Sequence, residues 1–179
     1  MVDTSPLRLV PGYRWLFSGM LLAQTGRQLT VVAVPIQIFS ITGSTLAVGL
    51  LGLAQLLPLL AVSLVGGALA DAVDRRLLLI VAEVVLALCG LGLWWNALGS
   101  TPLLWPLYVL SAINAGVSAI HNPARQALVP GLVGRKLFPA ALALNQTQTN
   151  LAKTGVPALG GLLIVTAGLP ATYAVQTVT

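Results

Sequence analysis

Long apolar runs separated by short polar breaks fill the chain from Trp15 onward. A helix needs about 20 mainly apolar residues to traverse the roughly 30 Å hydrocarbon core of a bilayer. The pattern predicts such spans at approximately 15–40, 46–69, 77–98, 103–120 and 140–167, with a sixth beginning near Pro170. The fold class expected is therefore all-α, a polytopic transmembrane helix bundle. The first run is longer than the 7–15-residue core of a signal peptide, carries Gln24, Arg27 and Gln28, and precedes no A-x-A-like cleavage site. It is expected to remain in the mature protein.

The breaks are of two kinds. Ile41-Thr42-Gly43-Ser44-Thr45, Gly99-Ser100-Thr101-Pro102 and Gly168-Leu169-Pro170 carry no charge, and Trp94, Trp95 and Trp105 flank the second of them as interfacial anchors. The opposite ends of the spans carry Arg8, Arg14, Arg75, Arg76, Arg125, Arg135 and Lys136. Basic loops stay on the cytoplasmic side. The amino terminus is thus expected in the cytoplasm of a bacterial cell, with the protein in its inner membrane.

Composition agrees. Hydrophobic residues make up 57% of the chain, charged residues 7%, and mean hydropathy is +0.94, which leaves too little charge for the surface of a soluble protein. The net charge of +5 does not indicate nucleic acid, because the bases punctuate apolar runs and form no patch interleaved with aromatics. A lone cysteine, Cys89, admits no internal disulfide and reads as a small core residue. No metal-ligand cluster, nucleophile motif or histidine dyad is present, so neither an enzyme nor a metal or cofactor is expected.

Charge is concentrated once. Of nine bases and four acids, Asp71, Asp74, Arg75 and Arg76 fall within G-G-A-L-A-D-A-V-D-R-R-L-L-L (66–79). Asp71 and Asp74 are expected at or just past the end of one helix and the arginines at the start of the next, both opposed to the helix dipoles. Mutual pairing, or pairing with a neighbouring helix, explains them better than local helix stability.

G-G-A-L-A-D-A-V-D-R-R resembles the loop signature between the second and third helices of the major facilitator superfamily, with Asp74 where that family usually has glycine. V-A-V-P-I-Q-I-F-S-I-T-G-S-T (32–45) and N-P-A-R-Q-A-L-V-P-G-L-V-G-R (122–135) are similar to its drug-and-siderophore, enterobactin-exporter-like efflux branch. V-P-A-L-G-G (156–161) resembles the fifth-helix antiporter signature through Pro157, Gly160 and Gly161, with Val156 in place of its first glycine. The fourth-helix arginine of the superfamily has no counterpart between Ser111 and Ile120. The resemblance covers essentially the whole chain. It implies twelve helices in two halves, of which residues 1–179 are an amino-terminal domain lacking its carboxy-terminal half. It also implies that Asp71, with Arg75 and Arg76, latches the cytoplasmic side shut, and that protonation of Asp71 loosens the latch.

Charges inside a membrane are costly and mark function by default. At 1.5 Å per residue, Arg27 lies about 20 Å beyond Arg14, Lys153 about 20 Å beyond Pro139, and Glu83 about 10 Å beyond Arg76. Gln146, Thr149, Asn150 and Lys153 share one face of the fifth span, and Gln24, Arg27 and Gln28 share a face of the first. Two polar faces at similar depth suggest a substrate cavity; interhelical hydrogen bonding alone is the alternative. Glu83 is either a proton carrier or the partner of a base on a neighbouring helix. Ala112 with Gly116, and Gly49 with Gly52, have the spacing of close helix contacts. The function expected is secondary active export of a drug-like or siderophore-like small molecule by proton antiport and alternating access. An importer of the same fold, or a non-transporting membrane scaffold or receptor subunit, are the other readings.

Overall fold

The computed structural model of the chain describes residues 6, 9–72, 74–126 and 129–178; the side chains of 65–72, 75, 76, 122–132, 135, 136 and 178 lie outside the description. The described residues form helices only: α1 (Pro11–Thr42), α2 (Thr45–Ala72), α3 (Arg75–Leu98), α4 (Leu104–Gln126) and α5 (Val129–Val178). Glycines with positive φ break α5 at Gly134 and Gly168. The break at Gly168 starts the sixth helical segment two residues before Pro170. The stretch 121–139, expected as a loop, is largely helical instead.

Among the described residues four helices are long and apolar enough to cross a membrane: Thr45–Leu64, Leu77–Leu98, Leu104–His121 and the 41-residue Leu137–Thr177 that contains the Gly168 turn. At 32 residues α1 is unbroken along its whole length, about 48 Å by its rise. Gln24, Arg27, Gln28 and Gln37 hold its hydropathy down, and it is not among the four. The bundle is apolar outside: Trp15, Leu46, Leu57, Leu64, Trp95, Trp105 and Val165 are all well exposed, as lipid-facing residues should be.

The turns follow from their sequences. Gly43 adopts φ 63° and its N–H closes α1 onto the Phe39 carbonyl at 2.8 Å, a left-handed cap that glycine adopts without strain. The Ser44 hydroxyl then accepts the Ala47 N–H at 3.4 Å, capping α2. Asn96 ties the ends of α3 and α4 together, donating to the Leu103 carbonyl at 3.0 Å while its Oδ1 accepts the Leu103 N–H at 2.9 Å. Asp74 corrects the expectation from helix dipoles. Its carbonyl accepts the Leu78 N–H at 2.9 Å, so it stands just before α3, where an acid is favourable. Asp71 does lie in the last turn of α2.

Contacts fix the relative directions. Tyr13 donates to the Ala141 carbonyl and to Asn145 Oδ1, both at 3.1 Å, and Leu29 packs with Ala152 and Val156; α1 and the 135–167 part of α5 run parallel. Tyr108 donates to the Ala47 carbonyl at 2.7 Å, and farther along Gly116 meets Pro58 and Val62, so α2 and α4 are parallel too. The segment after Gly168 returns antiparallel to α1, with Tyr173 donating to Gln37 Oε1 at 2.8 Å and Thr30 donating to Gln176. These registers gather Gly43, the 99–103 turn and Gly168 at one end. A buried cluster of Ala33, Val34, Ile38, Leu51, Leu93, Leu107 and Tyr173 ties α1 to α5 together near that end.

Small residues sit where helices approach. A Cβ on Gly116 would lie 3.2 Å from Pro58 Cβ, and one on Gly160 would lie 3.1 Å from Leu29 Cδ2. Gly49 and Gly52 have nothing within 4 Å. They mark no helix contact, contrary to the spacing argument, because the close approach of α2 is made by Pro58 and Val62. Cys89 is buried as expected.

Candidate functional site

Arg27 projects from the middle of α1 toward α4, and its Nη1 donates to Ser118 Oγ at 3.5 Å. Two cavities meet at this guanidinium. The larger, about 460 Å³, lies between α1, α2 and α4, with Thr30, Gln55, Ser111, Asn114 and Ser118 supplying its polar wall. The smaller, about 300 Å³, lies toward α3 and the end of α5, lined by Arg27, Glu83, Asn114, Gln176 and Thr177. Pro35 and Val34 contribute apolar wall to the larger one, giving the mixed lining usual for small-molecule sites.

Glu83 does have a basic partner. Its Oε1 lies 2.8 Å from Nε2 of His121. The histidine is 1% exposed and the carboxylate 51%, so the imidazole is buried in the bundle while Glu83 reaches the smaller cavity. Ser111 Oγ and His121 Nδ1 are buried with no hydrogen-bond partner among the described residues. A buried polar atom without a partner is costly and calls for explanation.

Of the residues expected to form the site, Arg27 and Glu83 come together at the smaller cavity. Gln24 and Gln28 are part-exposed on α1. On α5, Gln146, Asn150 and Lys153 are exposed and Thr149 is partly buried. Gln146 donates to Asn150 Oδ1 at 3.2 Å, and Thr149 bonds the Asn145 carbonyl at 2.9 Å. The polar face of α5 therefore lies outside both cavities, whose polar wall comes largely from α4. Gly160 holds α5 close to α1, Pro157 is partly buried, and Gly161 meets nothing within 4 Å. Asp71, Arg75 and Arg76 have side chains outside the described residues, and Asp74 is exposed.

Sequence reasoning missed α4. Ser111, Asn114, Ser118 and His121 follow one another at intervals of three, four and three, a single helical stripe. Uncharged residues in an otherwise apolar span drew less notice than charges elsewhere; their periodicity was the available signal. Among the described residues no group of three or more potential metal ligands occurs.

A sequence model of the family described as transmembrane secretion effector matches residues 2–179. The enterobactin exporters EntS of Shigella boydii serotype 18, Citrobacter koseri and Escherichia coli O1:K1 are each 32% identical over 177 residues, covering 97% of this chain and 42% of each relative. The chain thus spans less than half the length of the curated relatives it matches. No solved structure matches it. The chain belongs to the transmembrane secretion effector family of the major facilitator superfamily, a family of transporters and not of enzymes. It is a multi-pass inner-membrane protein.

Proposed function

We propose that this chain is the amino-terminal domain of a secondary exporter that moves a siderophore-like or drug-like small molecule outward by alternating access, in exchange for protons. The observation that carries the reading is Arg27, an intramembrane cation set between two cavities inside a helix bundle. Such a charge in hydrocarbon is sustained by function. The similarity to enterobactin exporters directs the substrate reading toward siderophores.

In this reading the larger cavity is one wall of the substrate site. The exposed polar stripe of Gln146, Asn150 and Lys153, with Thr149, Gln24 and Gln28, extends that wall toward the rest of the protein. Rocking of the two halves about the site exposes it alternately to either side. The amino terminus faces the cytoplasm, and Asp71, Asp74, Arg75 and Arg76 form a cytoplasmic latch holding the outward-facing state.

The test is export by the full-length protein in cells lacking their own siderophore exporter. Enterobactin should accumulate in the medium, and collapse of the proton gradient should stop it. Failure to accumulate enterobactin removes the siderophore reading, and accumulation that survives gradient collapse removes antiport. Asp71→Asn should slow turnover while leaving ligand binding in place; unchanged export in that variant refutes the latch.

A further inference from the structure

We infer that the larger cavity is selective for organic anions: it holds an amphipathic oxyanion lengthwise, with the anionic head at Arg27 and Ser118 and a polar tail group at Ser111, and it turns away lipophilic cations. That this ligand is the exported molecule rests on the export reading above; its binding does not.

The cavity has two unlike ends. Arg27 and Ser118 lie at one, joined at 3.5 Å. Ser111 lies two turns back along α4, about 10 Å by the helix rise, and Pro35 stands about 12 Å beyond Arg27 on α1. Val34 and Leu51, which also line the cavity, belong to the buried cluster near the Gly43 turn, so this second end is the apolar one. A ligand lying along α4 meets a charged head site, the Asn114 amide at mid-length, and an apolar tail site carrying one hydroxyl.

Charge sets the class of ligand. Among the described residues that line this cavity, Arg27 is the one ionisable side chain; Glu83 lines the smaller cavity instead. Ser118 is not the guanidinium's only partner, but five N–H donors in a planar fork let it serve both sides at once. The larger cavity thus presents a cation among neutral groups. An oxyanion gains from it, whereas an ammonium ion meets like charge in a surrounding that screens it poorly.

Ser111 and Gly52 point to the ligand's tail. Hydroxyls elsewhere in these helices satisfy themselves: Thr25, Ser63 and Thr147 donate to the carbonyl four residues back at 2.6–2.8 Å. Ser111 is 5% exposed, and its Oγ makes no hydrogen bond among the described residues. A buried hydroxyl left so is costly, and a polar ligand group in the cavity relieves it. Gly52 lines the same end with nothing within 4 Å of its missing side chain. The glycine that meets no helix leaves room for the tail.

The test is calorimetric titration of the full-length protein in lipid nanodiscs, with empty discs subtracted. Three probes share one body: biphenyl carboxylate, the same acid with a para hydroxyl on its far ring, and biphenylmethylammonium. Both acids should bind saturably, the hydroxylated one roughly 2- to 10-fold tighter, and the ammonium compound should add nothing to the empty-disc signal. Ser111→Ala should erase the advantage of the hydroxyl while leaving the parent acid's affinity unchanged and the melting temperature no lower. Gly52→Val should abolish binding of both acids, again with no fall in melting temperature. Failure of both acids to bind, ammonium binding equal to theirs, a hydroxyl advantage that survives Ser111→Ala, or wild-type affinity in Gly52→Val overturns the inference. If Gly52→Val fails to fold, Ser111→Ala with the two acids decides alone. A protein that exports enterobactin but binds neither acid strikes this site and leaves the export reading; one that binds the acids as described but exports no enterobactin does the reverse.

Discussion

Replacing Gly116 by valine tests the close approach of α4 to α2. A Cβ at this position would stand 3.2 Å from Pro58 Cβ and 3.6 Å from Val62 Cγ2, against an optimal carbon–carbon separation of about 3.5–4.0 Å. Both Cβ atoms are fixed to their backbones, so no rotamer relieves the first contact. Pro58 is itself inside α2 and cannot withdraw without moving the helix. Overpacking of this kind costs about 1–3 kcal/mol, and the valine methyls add to the crowding against Val62. The gain in helix propensity over glycine recovers at most roughly 0.5 kcal/mol. The net expectation is a loss of about 0.5–2.5 kcal/mol, read as a lower melting temperature of the full-length protein in detergent. Gly49→Ala is the control, since nothing lies within 4 Å of that glycine; it should be neutral or stabilising. A Gly116→Val protein that melts with the wild type would refute the parallel packing of α2 on α4.

Tyr173→Phe should destabilise by about 1–3 kcal/mol, because Gln37 is 1% exposed and its Oε1 accepts the tyrosine hydroxyl at 2.8 Å; chemical denaturation of the reconstituted protein measures it. Gly43→Val should cost about 1–2 kcal/mol through its φ of 63°, visible as a drop in melting temperature with no change in ligand binding. Lys153→Ala touches an exposed side chain, so melting should shift by less than about 0.5 kcal/mol while enterobactin export falls. Unchanged export would show that the α5 stripe is not part of the substrate wall.

The helices were legible because a period of 3.6 and a length near 20 residues are written into hydropathy, and the turns because Gly43, Ser44 and Asn96 act over a few residues. Pairing was less so. Gly116 and Gly49 look alike as members of small-residue patterns, yet only Gly116 meets another helix, because rotation about the axis decides which face is covered. The site was legible at Arg27 and Glu83, whose charge stands out against lipid. It was not legible at Ser111, Asn114 and Ser118, whose role depends on which side of α4 faces the guanidinium. His121 was not legible either, because its partner Glu83 is brought to it by α3 from 38 positions away.

The parallel pairing of α1 with α5 sets an order on biogenesis. Tyr13 and Asn145 are 132 positions apart, and Gln37 and Tyr173, on the antiparallel segment after Gly168, are 136 apart. At a synthesis rate of about 5–20 residues per second, the first helix resides in the bilayer for roughly 7–26 s before its main neighbour exists. For the first part of that interval Arg27 lacks α4 as well, since Ser118 follows it by 91 positions, and its charge must be sheltered by the insertion machinery or by lipid headgroups drawn inward. The nascent protein is thus most vulnerable to quality-control proteases early in translation, while its costliest side chain still awaits the helix that will receive it.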